Sequence, residues 1–213
     1  TQAGCRVFFV AYGIEGVAIR AVAPDADIYV LQGFGEEETD IFAKAHLIPV
    51  LATPEQLKTW QHLKPNDLKP AIQIETGLNR LGFTQEQVMS LDEETRSGFS
   101  LVLSHLACAD EPNSPFNQSQ LDRFNAMKSL FPGAKFSLAA SDGCALGQAY
   151  HFDIVRGGAF LYGIHTFPAL KKRQKSVMTV IARILLQRKL TQADYVGYGA
   201  DFHAYDGMRI AVV

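Results

Sequence analysis

Short apolar runs rich in β-branched and aromatic residues recur along the first three quarters of the chain, at 7–11, 28–32, 47–52, 71–75, 101–105, 136–140 and 154–156. They are nearly continuous rather than strictly alternating, the pattern of parallel strands covered on both faces. Helical patterns fill the intervals. Thr53 predicts a helix cap, with Pro54 at the first helical position and Gln56 at the reciprocal capping position, and Thr84 with Gln87 repeats the device. Beyond Asn117, read as a further cap, Leu121, Phe124, Met127 and Leu130 recur every third residue and predict one buried helix stripe. Strand–helix alternation repeated in this way predicts an α/β fold around a parallel sheet. Seven strands are one fewer than close a (β/α)8 TIM-type barrel. An open doubly wound sheet is the competitor, weakened because no G-x-G-x-x-G fingerprint follows the first run.

The pattern changes after Pro168. Val177, Thr179, Ile181, Arg183, Leu185 and Gln187 alternate as in a half-buried strand, a polar turn follows at 190–194, and a further extended run reaches Phe202. The expected division is therefore an incomplete α/β barrel over 1–168 and the start of a β domain over 169–213. Thr1 to Gly4 read as the tail of a helix with its glycine stop, and 209–213 as a strand cut short, so both ends are expected to be truncated.

Composition narrows the function. The chain has 213 residues, 47% of them hydrophobic, enough for one domain and part of another. The net charge of -2 is spread without a basic stripe, and Lys171-Lys172-Arg173 is too short to argue for nucleic acid. No apolar stretch approaches the roughly 18 residues of a membrane helix. Cys5, Cys108 and Cys144 are an odd number without metal-ligand or redox spacing, so no metal site and a cytoplasmic, reducing location are expected. Asn117-Gln118-Ser119 then matches a glycosylation acceptor by chance.

Reactive groups of a parallel barrel stand at the C-terminal ends of its strands. Arg80 follows the fourth run, His105 closes the fifth, Ser141 follows the sixth, and Arg156 closes the seventh ahead of Gly157-Gly158. Each alone has an ordinary reading: a surface ion pair, a hydrogen-bonded core histidine, a helix cap, a tight turn. On one rim, two arginines, a histidine and a glycine-rich anion cradle suit a phosphorylated, electron-rich ligand. Spacing alone reaches a phosphate-binding α/β barrel and no further.

Four segments go further, in order along the chain. Ile74-Glu75-Thr76-Gly77-Leu78-Asn79-Arg80-Leu81-Gly82-Phe83 resembles the D-T-G-M-N-R-L-G segment of alanine racemases, and Leu103-Ser104-His105-Leu106-Ala107-Cys108-Ala109-Asp110-Glu111 resembles their S-H-L-A-x-A-D-E. The segment 152–163, with Val155-Arg156-Gly157-Gly158, is similar to their V-R-x-G-I-x-L-Y-G, and Val196-Gly197-Tyr198-Gly199-Ala200 to V-x-Y-G-A. The resemblance implies an eight-stranded barrel followed by a β domain, a head-to-tail homodimer, and a pyridoxal 5'-phosphate enzyme that interconverts L- and D-alanine, supplying D-alanine for the cell wall. It also implies roles. Tyr198 would be one of two bases, acting in the partner's site. A free phenol ionises near pH 10, so such a base needs positive charge nearby. His105 and Arg156 would form a hydrogen-bonded chain towards that tyrosine, with Arg156 also meeting the pyridine nitrogen. Arg80 would bond the cofactor's phenolate oxygen, and Ser141, Gly158 and Ala159 its phosphate. The sequence departs from the family in three places. The lysine segment A-V-V-K-A-x-A-Y-G has no counterpart, so the chain alone is expected to be inactive. Ala140 replaces an asparagine beside Ser141, and Gln73 stands where some members carry a carbamylated lysine. Another pyridoxal-phosphate barrel enzyme, acting on serine or decarboxylating amino acids, and a non-catalytic cofactor binder remain open at this point.

Overall fold

The structure, a computed structural model, describes residues 4–164, 175 and 177–213. The chain divides into two units, Thr1–Lys175 and Ser176–Val213. In the first, six strands pair in parallel and strictly in chain order: β1 (Val7–Val10), β2 (Asp27–Val30), β3 (Ile48–Leu51), β4 (Ala71–Gln73), β5 (Leu101–Leu103) and β6 (Lys135–Ser137). A doubly wound sheet reverses its strand order at a switch point. This sheet never reverses, so it is the singly wound kind that curls towards a barrel.

Alternate strand residues enter two different cores. Tyr29, Ile48, Val50, Ala71, Leu101 and Leu103 pack together on one face. Ile28, Val30, Leu51, Ile72, Ile74 and Val102 pack on the other with Phe42, Trp60 and Phe124. Because both faces are covered, the strands read as unbroken apolar runs. The helices are α1 (Gly13–Val22), α2 (Thr39–Ala45), α3 (Pro54–Leu63), α4 (Gln85–Ser90), α5 (Glu93–Ser97), α6 (Pro115–Met127) and the single turn α7 (Gly158–Leu161). Thr84 and Gln87 form the expected capping box. Thr53 accepts from the Gln56 N–H, but the Gln56 side chain reaches back one residue further, accepting from the Ala52 N–H at 2.8 Å. Helix α6 begins earlier than expected. Pro115 fixes its first turn and Ser114 holds the cap position, so Asn117 lies inside the helix, buried, and donates to the carbonyls of Cys108 and Glu111. Leu121, Phe124 and Met127 form the buried stripe, whereas Leu130 falls in a 3-10 turn beyond α6 and is half-buried.

The expected seventh strand is not a strand. Its three residues leave the sheet after one parallel bridge, Ala140 to Arg156, because Gly157-Gly158 turns the chain straight into α7. Among the described residues six strands are therefore paired in the sheet, not the expected seven. β4 and β5 also stop short of the sequence runs that predicted them, which leaves Glu75 and His105 in loops.

In the second unit, β7 (Leu186–Lys189) pairs antiparallel with β10 (Arg209–Val212), and β8 (Tyr195–Val196) with β9 (Phe202–His203). The alternation from Val177 to Leu185 does not make a strand. Those residues are exposed, and β7 starts only where β10 supplies a partner. The polar turn forms as expected, Asp194 accepting from the Thr191 N–H and hydroxyl. The run towards Phe202 is broken by a turn in which Gly197, Gly199 and Ala200 all have positive φ. The proposed helix tail at Thr1 to Ala3, the basic run at 171–173 and the expected boundary after residue 168 lie outside the described residues.

Phe124 is fully buried, edge-on to Phe136 and Phe152, and joins α6 to the sheet. Phe124→Ala should cost about 3–5 kcal/mol in urea unfolding. A loss below about 1 kcal/mol would mean that α6 does not pack on the sheet in this way.

Candidate functional site

The site is built where strands end. After β4 the chain forms a tight loop that closes on itself, Glu75 N–H donating to Phe83 O and Phe83 N–H to Gln73 O, each at 2.8 Å. The Glu75 carboxylate accepts from the N–H groups of Gly77 and Asn79. At Gly82, φ is +124° and a Cβ would stand 2.9 Å from the Ile74 carbonyl carbon, so this turn requires glycine. Gln73, buried beneath, donates its amide to Leu81 O at 2.9 Å. It braces the loop through the backbone, with a neutral bond instead of a charge. Arg80 rides on this loop with its side chain exposed.

Beyond β5 the chain carries Ser104 and His105, and from the bridge after β6 comes Arg156. The Arg156 guanidinium is partly buried and crosses both strand ends. Nη1 donates to Ser137 O at 3.0 Å and Ser137 Oγ at 2.6 Å; Nη2 donates to Ser104 O at 2.5 Å and Leu138 O at 3.3 Å. Nη2 also stands 3.5 Å from His105 Nδ1. Among the described residues no carboxylate pairs with Arg156. Desolvation draws its pKa down to about 10, still far above neutrality, so it remains a cation. His105 responds in the same sense. Burial, then the charges of Arg156 and Arg80, hold its pKa down to about 4. The imidazole is thus neutral at pH 7 and can accept from Arg156 at Nδ1.

A second cluster lies next to the first. Ser141 is buried and its Oγ accepts from the Phe160 N–H at 3.1 Å, tying the loop after β6 to α7. Gly158 and Ala159 open that turn and are exposed, and Gly158 N–H donates to Arg156 O at 2.9 Å. No neighbouring heavy atom lies within 4 Å of where a Cβ would stand at Gly157 or Gly158, so the backbone here is open to a ligand.

The structure therefore brings Arg80 and Arg156 each within electrostatic reach of His105, and Ser141 beside Gly158 and Ala159. Tyr198 belongs to the other unit. It is wholly exposed in the turn between β8 and β9. Sequence reasoning missed Ser104, Ser137, Thr76 and Gln120, all buried polar residues at this rim. The available signal was the polar pair Asn117 and Gln120 on the same helical face as Leu121 and Phe124.

Because folding depresses the His105 pKa, the unfolded chain takes up the proton first as pH falls. The associated stability is present above about pH 6.5 and is lost between there and about pH 4, amounting to at most roughly 3 kcal/mol. Urea midpoints from about pH 7 to about pH 4.5 should fall in the unsubstituted chain and much less in His105→Gln. Equal slopes in the two proteins would contradict a neutral, desolvated His105.

The family profile described as "Alanine racemase, N-terminal domain" matches residues 1–166. Among curated relatives, a biosynthetic alanine racemase of Agrobacterium fabrum is 40% identical over 99% of this chain and 56% of its own length. A catabolic alanine racemase of Mesorhizobium japonicum is 37% identical, over 100% of the chain and 58% of its own length. The structure also resembles alanine racemase from Bartonella henselae, solved with covalently bound pyridoxal phosphate, with a TM-score of 0.82 at 32% identity, covering 99% of this chain and 61% of that one. For the biosynthetic enzyme of Pseudomonas aeruginosa the TM-score is 0.80 at 29% identity, covering 97% and 60%. The chain spans a little over half the length of these relatives. Its singly wound parallel sheet, its strand-end residues and these matches agree: the chain belongs to the alanine racemase family.

Proposed function

We propose that this chain carries the cofactor-binding part of a pyridoxal 5'-phosphate enzyme that interconverts L- and D-alanine. The observation that carries the reading is a desolvated guanidinium, Arg156, with carbonyl partners and no carboxylate among the described residues, set against a neutral histidine. The donors fit such a cofactor. A phosphate suits the open Gly157-Gly158 backbone with Ser141 and Ala159 beside it, and a phenolate oxygen suits Arg80. The bonds of Arg156 to described residues use Nη1 and Nη2, which leaves its Nε–H for the pyridine nitrogen. When bound, the cofactor acts as an electron sink that stabilises the carbanion left by removal of the Cα proton.

The chain's own residues then set which reaction follows. A guanidinium is effectively never deprotonated at neutral pH, so Arg156 donates to the ring nitrogen and cannot accept its proton. Held against the ring nitrogen of a bound cofactor, Arg156 would leave that nitrogen without a proton and the group a weaker electron sink, which would disfavour side reactions. His105, accepting at Nδ1, would carry its proton on Nε2 and could offer that donor to the phenol oxygen of the tyrosine that a second copy contributes. A phenol used as a base requires such stabilisation of its anion. The likeness supports assigning Tyr198 to the site of a second copy in a homodimer. The division into a barrel over 1–168 and a β domain from 169, a cytoplasmic location and a role in supplying D-alanine for the cell wall belong to the same proposal.

The full-length protein, purified with pyridoxal phosphate, should racemise alanine in preference to serine and should not decarboxylate lysine. Arg156→Glu should raise the share of transamination products. Faster turnover of serine or lysine, or product ratios unchanged by Arg156→Glu, would contradict the proposal.

A further inference from the structure

Gln120 lies on the buried face of α6, without exposed surface, in a stripe that is otherwise apolar from Leu121 onward. A primary amide has no reason to be there unless its polar atoms are bonded. They are. Oε1 accepts from the Ala107 N–H at 2.8 Å, while Nε2 donates to His105 O at 3.0 Å and to Thr76 Oγ1 at 3.2 Å. The first two bonds grip the main chain on either side of Leu106, the stretch where the chain has left β5 and no neighbouring strand holds it. The third passes to the β4 loop. Thr76 Oγ1 lies 2.7 Å from Ser104 Oγ, so a Thr76 hydroxyl that accepts from Gln120 can donate to Ser104. Ser104 O in turn receives Arg156. Arg123, one turn along α6, donates to Thr76 O at 3.0 Å and fixes the same loop from outside.

We propose that Gln120 is a positioning residue: from α6 it fixes the backbone that carries His105, and through Thr76 the loop that carries Arg80, so that the imidazole stays against Arg156. The catalytic sense of this placement rests on the reading of the site as a racemase centre, but the placement itself does not. Gln120 bonds both strand-end loops at once, whereas Arg123 holds only the Thr76 loop, so the spacing between them passes through the Gln120 side chain. An apolar replacement would leave an N–H, a carbonyl and a hydroxyl buried without that partner, and the loops would separate to rehydrate them.

The test follows the His105 ring by NMR in the folded 213-residue chain, without cofactor. The unsubstituted chain should titrate near pH 4. Burial, then the charges of Arg156 and Arg80, hold the ring's pKa down, so a histidine whose loop moves into solvent and away from them should titrate closer to the ordinary value of about 6.5. Gln120→Met, nearly equal in volume, should move the midpoint above about 5. A folded Gln120→Met chain whose His105 still titrates near pH 4 would overturn the proposal. If that variant does not fold, Thr76→Val and Thr76→Ser put the same question one bond further along. Valine should raise the midpoint and serine, keeping the hydroxyl, should restore it; identical midpoints would overturn it. The readout needs neither cofactor nor turnover, so failure of the racemase reading would appear separately, as a full-length protein without alanine racemisation.

Discussion

A guanidinium compensated by carbonyl dipoles rather than by a carboxylate keeps its charge available to a ligand, and the site depends on that constraint. Arg156 spans the ends of β5 and β6 through Ser104, Ser137 and Leu138. Neutral acceptors lower the cost of partly burying the cation without cancelling it. Burial, with this charge and that of Arg80 added to it, keeps His105 neutral, so a permanent cation and an uncharged imidazole stand side by side. A carboxylate in place of the Ser137 hydroxyl would neutralise Arg156 and remove the reason for an electron-rich ligand to enter.

The geometry follows from where strands stop. β4, β5 and β6 are only three residues long, and the residues just beyond them turn into loops that belong to the rim. The bonds a longer sheet would supply there come from side chains: Gln73 to the loop of Arg80, Ser141 to α7, and Gln120 between the loops of Arg80 and His105. Each of these three braces is an uncharged group, with the charged Arg123 added only on the outer side of the Thr76 loop. A family position that can hold a charged support is served here by the Gln73 amide through Leu81 O, which fixes the loop's path and adds no field at Arg80.

Apolar periodicity made the parallel sheet legible, because covering both faces leaves little room for polar residues within a strand. The strand-end positions of Arg80, His105, Ser141 and Arg156 were legible for the same reason: polar groups stand out where apolar runs finish. Strand lengths were not. Glu75 and His105 extend their runs in sequence, but loop closure by Phe83 and the grip of Gln120 draw them out of the ladder. The run at 154–156 failed as a strand because two glycines follow it at once. The alternation at 177–185 failed because periodicity specifies which face is apolar and says nothing about a partner strand. Asn117 looked like a cap by residue type, while Pro115 had already fixed the start of the helix. Of the polar braces only Gln120 left a trace, beside Asn117 on an otherwise apolar helix face; the partners themselves could not be read because most are backbone groups distant in sequence.

The central claim is that Arg156 donates to a neutral His105 at Nδ1, and the most direct measurement is the nitrogen-15 chemical shift of both His105 ring nitrogens near neutral pH. The account predicts a bare Nδ1 and a protonated Nε2. A proton on Nδ1, alone or together with Nε2, would contradict it.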